Sequence, residues 1–285
     1  MSGSASDPGI VPIAVNELFH ICSERAGSEA FQVTLGYMEI YNERIYDLLS
    51  TGNVSQELPL YDDPALGTRV RGLEERIVSS PEAVLHALAL AQNSRKMAAT
   101  AMNLNSSRSH TITRLIVEST SMAIGSTRAS MLSLVDLAGS ERASKTKAKG
   151  NTLREGAFIN KSLLTLSSVI AELSKGDKAG HVPFRDSKLT RLLQTSLGGN
   201  ARTALVCNIS PAGNQLAETK STLMFGKRAA TIVNKAHVNS TCVAVSPPST
   251  VDTERRLSDP VRACACVAAW TLRRCWRPTK QRCCA

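Results

Sequence analysis

No apolar run in these 285 residues reaches the length needed to cross a bilayer, so a membrane-spanning segment is excluded by length alone. The opening Met1-Ser-Gly-Ser-Ala-Ser-Asp-Pro has neither a basic start nor an apolar stretch, which argues against a secretion signal. Cysteine is scarce where a core would form. Only Cys22 and Cys207 lie in the main body, and the other six of the eight fall at or beyond Cys242. Two isolated thiols are not a disulfide framework, and they place the chain inside the cell. The terminal cysteines, Cys264, Cys266, Cys275, Cys283 and Cys284, lack the twice-repeated close pair that a zinc site prefers, so no zinc is expected. Heptads are missing too, and no coiled coil is predicted here.

What is present is 42% apolar residues and 20% charged, enough for one large soluble domain with or without a tail. The formal charge of +10 points to an acidic partner. About half of that excess sits between Ser240 and Ala285, where eight Arg or Lys residues face Asp252, Glu254 and Asp259.

Helical and strand patterns alternate from about Gly9 to Asn239, which predicts an α/β domain on a largely parallel sheet. Ile112, Leu115, Ile116 and Val117 mark one strand, and Met131 to Val135 mark a second that ends on Asp136. The small polar residues between them predict a hairpin connection. Ile159, Leu163, Leu166, Ile170 and Leu173 recur at spacings of four and three, a stripe that packs a helix onto the core and stops near Lys175-Gly176. Ala204 to Ile209 reads as a buried strand, and Glu218 to Asn234 as a final helix. Beyond Asn239 the periodicity ends. The expected organisation is a short lead over residues 1–8, a domain over 9–239 and a basic, Cys-rich, disordered tail over 240–285.

Two clusters carry candidate chemistry. Asp136-Leu-Ala-Gly139-Ser-Glu141 follows a buried strand and so emerges at the carboxyl end of the sheet, where open α/β folds bind ligands. A carboxylate there can hold Mg²⁺ through water, and Gly139 lets the backbone approach a phosphate oxygen. Asn103-Leu-Asn-Ser106-Ser107-Arg108-Ser109-His110 precedes the other strand. Its hydroxyls can ligate Mg²⁺ or orient water, and Arg108 can pair with a carboxylate such as Glu141. Taken alone, each cluster reads more readily as an ordinary polar loop.

Together, and in this order, they resemble the switch I and switch II segments of kinesin motor domains. The resemblance extends to Tyr37-Met-Glu-Ile-Tyr-Asn-Glu-Arg-Ile-Tyr-Asp-Leu-Leu49, Asn160-Lys-Ser-Leu163, Val182-Pro-Phe-Arg-Asp-Ser-Lys-Leu-Thr-Arg191, Leu197-Gly-Gly-Asn200 and Glu218-Thr-Lys-Ser-Thr-Leu223. It implies the kinesin-type P-loop NTPase fold: α/β, with a central mostly parallel sheet flanked by helices. It also implies ATP and Mg²⁺ as cofactors and movement along microtubules. Ser107 would touch Mg²⁺, Asp136 would hold it through water and Gly139 would sense the terminal phosphate. Ser106, Arg108 and Glu141 would form the catalytic group, the last two as the ion pair that positions the attacking water. Lys145, Asn160, Lys161, Arg185, Lys188 and Arg191 would meet tubulin. The run from Gly150 through Gly156 and the Asp186-Ser-Lys-Leu-Thr segment look most like the centromere-protein-E-like group.

The sequence departs from the family in containing no N-terminal strands and no Gly-x-x-x-x-Gly-Lys-Ser/Thr loop. Little hydrolysis is therefore expected from these residues alone, and the other reading is a microtubule-binding remnant that does not cycle. Lys147 and Lys149 stand where Gly and Glu are expected, adding charge to a filament-facing loop. A nucleic-acid partner has only the tail's charge behind it and is not expected. The location implied is the cytoplasm, on the microtubule cytoskeleton. The parent protein is expected to dimerise through a coiled coil that these residues lack.

Overall fold

The computed structural model describes residues 1–4, 6–50, 56–63, 67–102, 109–139, 151–238, 240–241 and 264–266. After helix α1 (Ile10–Arg25) the chain enters a 13-residue strand, β1 (Glu29–Tyr41), which turns back as β2 (Arg44–Asp47). A small ribbon follows, β3 (Leu60–Asp63) with β4 (Gly67–Val70), and then β5 (Arg76–Val78) and helix α2 (Pro81–Met102). The long hairpin β6 (His110–Ser121) and β7 (Thr127–Asp136) leads to helices α3 (Asn151–Leu173), α4 (Lys188–Leu192) and α5 (Leu216–Ala229). Two short pieces, β8 (Ser240–Thr241) and β9 (Cys264–Cys266), pair with β7. Among the described residues no helix is long and apolar enough to cross a membrane.

The main sheet runs β2-β1-β6-β7-β8, with β5 beside the first half of β1 and β9 beside β7. Period-2 alternation divides its side chains between two cores. Val33, Leu35, Tyr37, Leu115 and Leu132 face α1 and α2, where Val15 and Val84 are fully buried. Met38, Ile40 and Ile112 face the opposite layer and meet Leu166 and Ile170 of α3 and Leu189 of α4. The helical stripe read from the sequence is thus a core stripe at Leu166 and Ile170, and the helix ends just before Gly176. Gly176 takes φ +59, a left-handed value that favours glycine.

Two sequence expectations are corrected. The sheet is not mostly parallel: every pairing among the described strands is antiparallel except β7 with β9. For the two hairpins the cause lies in the connections. Residues 122–126 between β6 and β7, and Asn42-Glu43 between β1 and β2, are too short for the crossover that parallel neighbours require. The second correction concerns Ala204–Ile209, which forms neither a strand nor part of the core. Leu205, Val206 and Ile209 are 44%, 65% and 54% exposed. An apolar segment becomes a strand only beside an edge that can take its amides, and no described strand runs alongside it.

Candidate functional site

The β6–β7 hairpin brings the described ends of the two candidate clusters, Ser109-His110 and Asp136–Gly139, to one end of the sheet. Its last rungs pair Thr111 with Asp136 and Ile112 with Val135, so the residues that enter β6 and those that leave β7 are neighbours across the ladder. Because alternate residues face opposite layers, Asp136 points with Thr111 and Thr113 toward α1 and α2, into a cavity of about 160 Å³ that also meets Tyr37, Gln92 and Arg95. Asp136 is exposed and has no ion-pair partner among the described residues, which leaves its carboxylate available to a hydrated cation. That donor set fits one side of a Mg–nucleotide. The lysine-bearing phosphate cradle is not in this sequence.

The chain then crosses to the other face. Leu137 joins the core under α3, and the Ala138 amide donates to His110 Nδ1 at 2.9 Å. His110 is buried, and its Nε2 lies 2.8 Å from Ser162 Oγ on α3. Burial pulls the imidazole down to about 4, so the ring is neutral at physiological pH. With Nδ1 accepting, Nε2 carries the proton and donates it to Ser162.

On the α2 side, Arg95 pairs with Glu39 of β1 at 2.8 Å and also donates to Ser109 Oγ. The Ser109 anchor, directly after the 103–108 segment, is therefore tied to both α2 and β1. Tyr37 bonds Thr111 and Gln92 beside the same cavity, and burial raises its phenol. Arg95, Glu39, Tyr37 and His110 are absent from the candidates read from the sequence. Glu39, Tyr37 and His110 lie inside motifs that were recognised, but their partners come from other elements and no spacing in the chain announces them.

Of the predicted residues, Asp136 and Gly139 meet at the end of β7. Ser106, Ser107, Arg108, Glu141 and Lys145 lie outside the described residues, as do Lys147 and Lys149. Asn160 falls on the described backbone of α3, and Lys161 beside it is exposed. Arg185, Lys188 and Arg191 come together on the α4 segment, packed against α3. Arg185 is exposed, whereas Lys188 and Arg191 are each only 26% exposed and already paired. Lys188 Nζ lies 2.6 Å from Glu57, and Arg191 contacts both Asp62 oxygens at 3.0 Å. Those cations hold both carboxyls below their usual range.

The α4 segment is held by the β1–β2 turn. Asn42 and Glu43 have φ of 52° and 57°, the left-handed pair of a tight hairpin that twists with its strands. This conformation is unfavourable for Glu. It aims the Glu43 carboxylate at the start of α4, where it accepts from Ser187 Oγ and from the Lys188 amide, both at 2.8 Å. Ser187 Oγ in turn accepts from the Leu189 amide at 3.2 Å, capping the helix.

Comparison with known proteins agrees with this arrangement. The kinesin motor domain family model matches residues 1–232. The kinesin-like protein KIN-7O of Arabidopsis thaliana is 49% identical over 249 residues, covering 84% of this chain and 19% of that protein. The kinesin heavy chain of Neurospora crassa is 47% identical over 243 residues, with 84% and 26% covered. Among solved structures, a fast kinesin described for its ATPase mechanism and microtubule interactions superposes with a TM-score of 0.76 at 44% identity, covering 87% of this chain and 69% of that one. A KIF14 dimer bound to a microtubule with AMP-PNP gives 0.75 at 39% identity, with 84% and 69% covered. This chain spans only a minor part of the curated relatives' length.

Proposed function

The chain belongs to the kinesin motor domain family, and from that premise we propose that it supplies the switch and filament-facing part of an ATP-dependent microtubule motor. Asp136 with Ser107 would hold Mg²⁺, and Gly139 would offer its amide to the terminal phosphate. Arg108 and Glu141 would pair and, with Ser106, would orient the attacking water. When bound, Mg–ATP supplies the phosphoryl group that passes to that water. Lys145, Asn160, Lys161, Arg185, Lys188 and Arg191 face the acidic surface of tubulin, which places the protein on the microtubule cytoskeleton. The parent protein is dimeric.

The observation that carries this reading is the Thr111–Asp136 rung, which sets the start of β6 and the end of β7 side by side at one sheet end, with α3 packed beneath. The Asp136–Gly139 turn and α3 are thereby joined through one hydrogen-bonded residue, His110. Co-sedimentation with microtubules, with and without Mg–ATP, tests it. A cycling motor is released when ATP is added, whereas a chain that binds but does not hydrolyse stays in the pellet.

A further inference from the structure

Three groups meet at the end of β7, and they lie on different elements. The Asp136–Gly139 turn faces the cavity with its first residue, then passes to the far side of the sheet with Ala138, which is buried. His110, the first residue of β6, stands under that crossing. Ser162, at the middle of α3, closes the row and is itself buried. The contacts run in sequence: the Ala138 amide to Nδ1 at 2.9 Å, and Nε2 to Ser162 Oγ at 2.8 Å. Both ring nitrogens are thus used, one on each element. The residue before Ser162 is Lys161, whose side chain is exposed on the outside of the same helix.

We propose that His110 is a positioning residue whose ring ties the Asp136–Gly139 turn to α3, so that a displacement of the turn reaches the Lys161 face of the helix. This rests on the reading of that turn as a phosphate sensor and of α3 as filament-facing. The physical basis is that an imidazole is rigid and planar, with its two polar atoms on opposite sides. When both are hydrogen-bonded inside a core, neither partner can move by an ångström without breaking a buried bond or carrying the ring along. A histidine that merely filled space would need only one partner, and an apolar residue would serve as well.

The test uses Ser162→Ala and Ser162→Thr in the full chain, because both leave His110 and the turn in place. Amide hydrogen exchange is measured at Ala138 and along β1 and β6, and microtubule affinity is measured with and without Mg–ATP. Ser162→Ala is expected to speed exchange at Ala138 about fivefold, the equivalent of one ordinary hydrogen bond, while β1 and β6 amides keep their protection. The nucleotide-induced change in microtubule affinity shrinks in parallel, and Ser162→Thr, which keeps the hydroxyl, restores both. Unchanged exchange at Ala138, an equal rise across the whole sheet, or failure of Thr to restore protection would overturn the role given to His110. If the parent chain binds microtubules identically with and without nucleotide, the motor reading fails, and the exchange result alone then decides the positioning role.

Discussion

Replacing Glu43 by Ala removes the carboxylate that joins the β1–β2 turn to the start of α4. Two bonds are lost, to Ser187 Oγ and to the Lys188 amide. Hydrogen bonds to a charged acceptor contribute about 1.5 kcal/mol or more each, so the loss is about 3 kcal/mol. The left-handed φ of residue 43 remains unfavourable for Ala, so no strain relief offsets it. Glu43→Gln keeps one of the two acceptor oxygens and loses the charge, and about half of the loss is expected. Ser187→Ala removes the cap and one of the same two bonds. A double-mutant cycle between Glu43 and Ser187 should therefore give a coupling of about 1 kcal/mol, since the two side chains touch. Urea unfolding followed by far-UV circular dichroism measures all three. If Glu43→Ala unfolds within about 0.5 kcal/mol of the parent, the ordinary scatter of surface substitutions, the turn does not hold α4 and the reasoning fails.

Glu57→Gln and Asp62→Asn release Lys188 and Arg191 from their intramolecular partners. Exposed ion pairs contribute little to folding, so the unfolding midpoint should barely move, while microtubule affinity at low salt rises about two- to fivefold. That gain should vanish in high salt, and a loss of affinity would contradict the assignment of these cations to the filament. The pH dependence follows from His110. Its folded value is about 4 against 6.5 for the free ring, so the unfolded chain binds the proton first. Its contribution to stability is full above about pH 6.5 and is lost as pH falls toward 4, by on the order of 3 kcal/mol. His110→Asn should flatten the unfolding free energy over that window.

The parts legible in the sequence are those with a local signature. The strand ending on Asp136, the hairpin before it and the stripe of α3 follow from periodicity, because side-chain alternation and helical spacing are properties of the segment itself. The chemistry of the Asp136–Glu141 and Asn103–His110 clusters was readable as residue types at the mouth of a sheet. Strand direction was not, since an alternating pattern is compatible with parallel or antiparallel neighbours and only connection length decides. Ala204–Ile209 differs from its expectation for a related reason: apolar β-branched residues announce a readiness to pair, and no described strand offers an edge beside them. Arg95–Glu39, Glu43–Ser187 and His110–Ser162 escaped because each joins residues 52 to 144 positions apart. No composition or spacing rule spans that distance. The pairing of Lys188 and Arg191 with Glu57 and Asp62 belongs to the same class, and it changes the meaning of a basic cluster that reads, in the sequence, as free charge.

The central claim is that this chain meets microtubules through the face built by α3 and α4. Its most direct test is the fraction co-sedimenting with microtubules for the parent chain and for a variant with Arg185, Lys188 and Arg191 all changed to Ala, at low and at physiological salt. The account predicts that the parent pellets, that its binding weakens as salt rises, and that the folded triple variant stays largely in the supernatant. A triple variant that pellets as well as the parent, or a folded parent that does not pellet at all, would contradict it.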